Sequence, residues 1–156
     1  MKDRNKFQAV DRREFVLGAS AAAIVAANWS GMGEAQAKGA EDLIKKLTGG
    51  KKVTAGKVTV KLPDIAENGN TVPFTVRVDS PMTDKDYVKA IHVIATANPT
   101  PLVATYKLTA ASGKAEVSSR MRMAKTQEII VIAELSNGSF VSGKKNVKVT
   151  IGGCGG

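Results

Sequence analysis

The 156-residue chain has one cysteine, one histidine and one tryptophan, and aromatic residues make up only 4% of it. A single cysteine excludes a disulfide within the chain. Structural zinc and iron–sulfur centres need several Cys or His ligands, which one of each cannot provide. No metal and no resident cofactor is therefore expected. No glycine loop opens a helix as a phosphate cradle, and no Ser/His/Asp constellation suggests nucleophilic catalysis. The apolar stretch from Phe15 to about Trp29 is Ala-rich and short of the roughly twenty residues that a membrane span needs, so no stable membrane anchoring is expected.

What the chain does have is an unusual end. The sole cysteine sits in Gly152-Gly153-Cys154-Gly155-Gly156, among residues without side chains. Glycine loses more entropy on ordering than any other residue and brings no surface to pack, so residues 152–156 read as a flexible, exposed arm. Fully extended, they reach about 16 Å. Prenylation would need three residues after the cysteine, and two follow it. A self-sufficient thiol enzyme would lower the thiol pKa with a helix N-terminus, a positioned His or a basic pocket. A glycine arm fixes none of these, and a nearby terminal carboxylate disfavours the thiolate. Cys154 is thus expected to be activated in a partner's active site, as a covalent attachment point and not as a catalytic residue. The competing reading is an interaction module whose tail cysteine forms an intermolecular disulfide.

Residues 1–37 read as an export signal to be excluded from the fold. A polar, basic start leads through Arg12-Arg13 into the apolar stretch, and Ala35-Gln36-Ala37 supplies a small-x-small cleavage pattern. Arg12-Arg13 followed by Glu14, Phe15, Val16 and Leu17 resembles the twin-arginine signal, which exports folded proteins. Asp11 and Gly18 depart from the usual residues of that pattern. The destination is then the periplasm, where Cys154 must be capped, paired with another chain or kept reduced.

The chain carries a formal net charge of +9, and the leader holds only five of the 23 basic and four of the 14 acidic residues. The remainder is basic. For an exported protein this suits anionic small molecules or acidic protein surfaces, not nucleic acid. Residues 38–151 form one small domain. Ala40 to Leu47, with Leu43, Ile44 and Leu47 at helical spacing, predicts a short N-terminal helix ended by Gly49-Gly50. Strands are predicted at Val58–Leu62, Val72–Val78, Val88–Ala97, Leu102–Leu108, Ala115–Met123, Glu128–Leu135 and Val147–Ile151, divided by turn residues. Such a pattern predicts an all-β chain, an immunoglobulin-like β-sandwich, with a small closed barrel as the alternative.

Few other residues invite chemistry. His92 falls on the strand face opposite Ile91 and Val93 and reads as structural or interfacial. Asp84 and Asp86 read as turn residues. Met121 and Met123 share a face and read as core.

The tail motif resembles the signature of the SoxY family, sulfur carriers of the bacterial thiosulfate-oxidising (Sox) system. Val72-Pro73-Phe74, Val78-Asp79-Ser80-Pro81-Met82-Thr83, Ala97-Asn98-Pro99, Ser119-Arg120-Met121-Arg122 and Ala133-Glu134-Leu135-Ser136-Asn137-Gly138-Ser139 are similar to that family too. The resemblance implies that Cys154 carries sulfur as S-thiosulfonate and persulfide, with no catalysis of its own. It implies an immunoglobulin-like sandwich in a heterodimer with a SoxZ-like β-sandwich subunit. It also implies visits to a SoxAX-type cytochrome, a SoxB-type hydrolase and, in some systems, a sulfur dehydrogenase.

Overall fold

The computed structural model describes residues 31–153, and side chains from residue 38 onward. Arg12 and Arg13 of the expected export signal, and Cys154, Gly155 and Gly156 of the arm, lie outside the described residues. Two sheets stack as a sandwich, the immunoglobulin-like arrangement predicted from the strand pattern, and not as a closed barrel. The larger sheet has the order β1 (Val53–Ala55), β9 (Phe140–Ile151), β8 (Gln127–Leu135), β5 (Val88–Ala95), β6 (Leu102–Lys107), and β3 (Ile65–Asn68) also pairs with β9. The smaller sheet has the order β2 (Val58–Lys61), β4 (Val72–Val78), β7 (Glu116–Met121).

The alternation in β4 does what its period dictates. Val72, Phe74, Val76 and Val78 are buried against the facing sheet while Pro73 and Arg77 are exposed. Opposite them lie Ile91 and Val93 of β5 and Ile129, Val131 and Ala133 of β8. Each Val, Ile or Phe side chain among them, fully buried, stabilises the fold by about 1.5–3 kcal/mol. Strand β5 is instead almost continuously apolar, because its second face is covered as well. That cover is helix α1 (Gly31–Thr48), whose Ala40, Leu43, Ile44 and Leu47 pack on Ile94, Ile132 and Phe140.

Helix α1 ends where the paired glycines predicted. Gly49 and Gly50 have φ of 60° and 76°, and Gly50 N–H donates to the Lys45 carbonyl at 3.0 Å, a Schellman-type cap. Its start is earlier than expected, at Gly31 and not Ala40, so the Ala35 and Ala37 of the expected cleavage pattern lie in helical backbone. The helix residues seen to pack, Ala40 and beyond, all follow Lys38.

Strand β9 is longer than the predicted Val147–Ile151, and two short strands escaped the pattern. Its first half pairs in parallel with β1, Val53 opposite Phe140. The second half pairs in parallel with β3, Asn68 opposite Ile151. Gly143 interrupts its apolar pattern for a steric reason: a Cβ there would lie 2.5 Å from the Val58 carbonyl oxygen. The half-buried Val58, which packs against the core, can cross β9 closely only over a glycine.

Candidate functional site

Strand β9 delivers the chain to the arm. Ile151, its last residue, is 69% exposed, which marks the end of the packed sheet. Beyond it Gly152 is exposed but Gly153 is buried. Three backbone hydrogen bonds surround this point. Gly69 N–H, in the turn between β3 and β4, donates to the Ile151 carbonyl at 2.7 Å. Met123 N–H donates to the Gly69 carbonyl at 2.7 Å, and Gly153 N–H donates to the Met123 carbonyl at 2.9 Å. The expectation of a free arm from Gly152 onward therefore needs correction: Gly152 and Gly153 are seated against the body of the domain. Their lack of side chains serves close approach, since a Cβ on Gly152 would lie 2.2 Å from the Ala124 carbonyl oxygen and one on Gly153 2.8 Å from that of Gly69.

The Arg122–Thr126 segment under the arm is held by two buried amides that the sequence reading did not single out for this role. Asn98, 3% exposed, donates from Nδ2 to the Arg122 carbonyl at 2.9 Å. Its Oδ1 accepts the Ala124 N–H at 3.0 Å and Gln127 Nε2 at 2.7 Å. Gln127 Oε1 in turn accepts the Ala97 N–H at 2.7 Å. Asn98-Pro99 follows the predicted strand Val88–Ala97 as turn residues, but only the tertiary structure shows that the Asn98 side chain templates a distant loop. Arg120 and Arg122, with Asn98, Thr100, Leu102, Val103 and Met121, line an open groove of about 330 Å³. Arg120, Arg122 and Lys125 are exposed, so the segment that seats the arm root carries positive charge.

The other candidates take structural positions. His92 lies on the helix-covered side of the large sheet, 8% exposed, with Nδ1 2.9 Å from Thr105 Oγ1. Burial lowers its pKa from the ordinary value, partly opposed by the negative charge of Glu134, which also pairs with Lys89 at 3.3 Å. Asp86 closes a turn through its backbone, its N–H donating to the Thr83 carbonyl at 3.1 Å and its own carbonyl accepting the Thr83 N–H at 2.9 Å. Asp84 is exposed. Met121 and Met123 are buried, as expected of core residues. Among the described residues there is no cluster of three or more His, Cys, Asp or Glu suited to a metal ion, and no helix long and apolar enough to cross a membrane.

Comparison with known proteins points the same way as the tail. The family described as Sulfur oxidation protein SoxY matches residues 44–154, a span that ends on the cysteine. The sulfur carrier protein SoxY from Chlorobium limicola f thiosulfatophilum is 35% identical over 71% of this chain and 96% of its own, with a TM-score of 0.61. A superoxide reductase (neelaredoxin) from Ignicoccus hospitalis superimposes with a TM-score of 0.54 over 60% of this chain and 80% of its own, at 12% identity. One from Nanoarchaeum equitans does so at 0.51, over 62% of this chain and 100% of its own, at 9% identity. At such identities the likeness concerns the sandwich alone. No curated protein matches at the level of sequence.

Proposed function

The chain belongs to the SoxY family, and from that premise we propose that it carries sulfur intermediates covalently on Cys154 during thiosulfate oxidation, in the periplasm after twin-arginine export. The observation that carries this reading is the placement of a lone thiol one residue beyond the seated Gly153, at the end of a family match that runs to Cys154 itself. The cargo is anionic at every stage, and the exposed Arg120, Arg122 and Lys125 beside the arm root favour it electrostatically.

The chemistry is divided between the carrier and its partners. Joining thiosulfate to the thiolate forms one S–S bond and releases two electrons, which a SoxAX-type cytochrome takes up. Water then cleaves the terminal sulfonate as sulfate on a SoxB-type hydrolase, releasing two protons and leaving a persulfide on Cys154. A sulfur dehydrogenase oxidises the remaining sulfane sulfur where one is present. This chain contributes the attachment atom and its delivery, needs no cofactor, and works as a heterodimer with a SoxZ-like subunit.

The test is the intact mass of the protein from its native compartment under sulfur-oxidising conditions, before and after reductant, with the modified residue located by fragmentation. Sulfur and sulfonate adducts on Cys154 that reductant removes are expected, together with loss of thiosulfate turnover in Cys154→Ala. An unmodified thiol or only a disulfide-linked dimer, with turnover retained in Cys154→Ala, would replace the carrier with an interaction module.

A further inference from the structure

Gly69 lies in the Asn68-Gly69-Asn70 turn, where a glycine ordinarily signals a left-handed backbone. It is not among the glycines with positive φ. The turn is closed instead by Asn68, whose Oδ1 accepts the Asn70 N–H at 2.9 Å. What demands glycine at this position is space. A Cβ on Gly69 would lie 2.3 Å from the Met123 carbonyl oxygen, 2.6 Å from the Gly153 amide nitrogen and 3.1 Å from Val149 Cγ1. From the other side, a Cβ on Gly153 would lie 2.9 Å from the Gly69 carbonyl carbon and 3.0 Å from the Asn70 nitrogen. Each glycine makes room for the other, which a freely swinging arm would not require.

Resting on the carrier reading above, we propose that Gly69 is a positioning residue for the carrier thiol: with Met123 it clasps Gly152–Gly153, and opening or closing of this clasp sets how far Cys154 reaches. With the clasp closed the pivot is Gly153, and the Cα of Cys154 lies about 3.8 Å beyond it. With the clasp open the pivot retreats to Ile151, and the same atom reaches about 10 Å. Among the described residues, one backbone hydrogen bond holds the chain past Ile151, from Gly153 N–H to the Met123 carbonyl. A single bond at the end of a sheet can open without disturbing the core. The closed form anchors Gly153, the residue before the carrier thiol, on the basic segment, and the open form lengthens the reach towards a deep active site.

The experiment compares the full-length chain with Gly69→Ala and, separately, with Gly152→Ala. The second variant clashes with the Ala124 carbonyl from the arm's side and touches no core residue. Hydrogen exchange of the Gly153 amide is expected to be protected in the parent and at least tenfold faster in both variants, while Val76, Ile91 and Val131 keep their protection. Cys154 should react at least threefold faster with a maleimide fixed to a bead through a short linker. Its rate with free iodoacetamide should change less than twofold, a contrast that general destabilisation would not produce. An unprotected Gly153 amide in the parent would overturn the clasp, as would exchange and bead-reaction rates within twofold of the parent in both variants. These readouts need no bound sulfur cargo, so a chain that clasps as described but bears no sulfur adducts would refute the carrier reading and leave the clasp standing.

Discussion

Replacing Asn98 with alanine should remove the template of the arm-bearing loop, at a cost that can be worked from the structure. The side chain makes three hydrogen bonds at a site 3% exposed. Gln127 Nε2 keeps a second acceptor, the Lys125 carbonyl at 3.2 Å, so its loss is partial. The Ala124 N–H and the Arg122 carbonyl lose the partner Asn98 provided. A fully buried polar group left unsatisfied costs about 1–3 kcal/mol, and these two are part-buried, so water entering from the adjacent groove recovers part of that. A net loss of about 2–4 kcal/mol is expected, a large share of the roughly 5–15 kcal/mol available to a domain of this size. In urea unfolding followed by far-ultraviolet circular dichroism, the midpoint should fall with the slope unchanged, and Tm should drop by about 10 °C. Gly153, which hangs from Met123 in the same loop, should lose amide protection at denaturant concentrations where β5 and β8 keep theirs. A loss below about 0.5 kcal/mol would show that water substitutes fully for the amide and that the loop does not depend on Asn98.

Two further outcomes are expected. Gly143→Ala places a methyl group against the Val58 carbonyl, which should force β2 away from β9 and lower stability by about 1–3 kcal/mol in the same denaturation assay; an unchanged midpoint would mean that the sheets separate at no cost. For His92, folding lowers the pKa, so below the ordinary value near 6.5 the unfolded chain binds a proton that the folded chain resists; stability should decline as pH falls from 7 towards the lower folded pKa, and His92→Gln should flatten that decline.

The strands that could be read from the sequence are those whose partners impose a clear pattern. In β4 the buried Val72, Phe74, Val76 and Val78 alternate with more accessible residues, and its ends were placed to the residue. Strands β1 and β3 left no such trace. Three and four residues long, they are defined by parallel pairing with β9, and β3 buries only Ala66. The first half of β9 was not predicted: Gly143, Lys144 and Lys145 interrupt its apolar pattern, and Gly143 is required by the close approach of Val58. At the candidate site Cys154 stood out by its isolation, but Gly69, Asn98 and Gln127 did not. Glycine tolerates both freedom and close approach, and the sequence alone does not distinguish the two. The Asn98 side chain answers to backbone groups 24 and 26 residues away, which no local pattern encodes.

That ambiguity in glycine bears on how a carrier arm works. An arm that is free along its whole length loses conformational entropy each time it enters an active site, and the loss grows with the number of residues ordered. Seating Gly152 and Gly153 on the domain would confine much of that loss to folding, so that fewer residues remain to be ordered when a partner binds. The cost is reach, because a thiol one residue from its anchor enters only a shallow site. A weak clasp resolves this conflict if the partner's own contacts open it, since the enzyme then supplies the free energy of extension only when bound. The buried Asn98–Gln127 pair beneath the loop keeps the seat rigid while the single bond above it remains easy to break. Strength in the seat and weakness in the clasp are therefore complementary requirements, and both arise from where β9 ends.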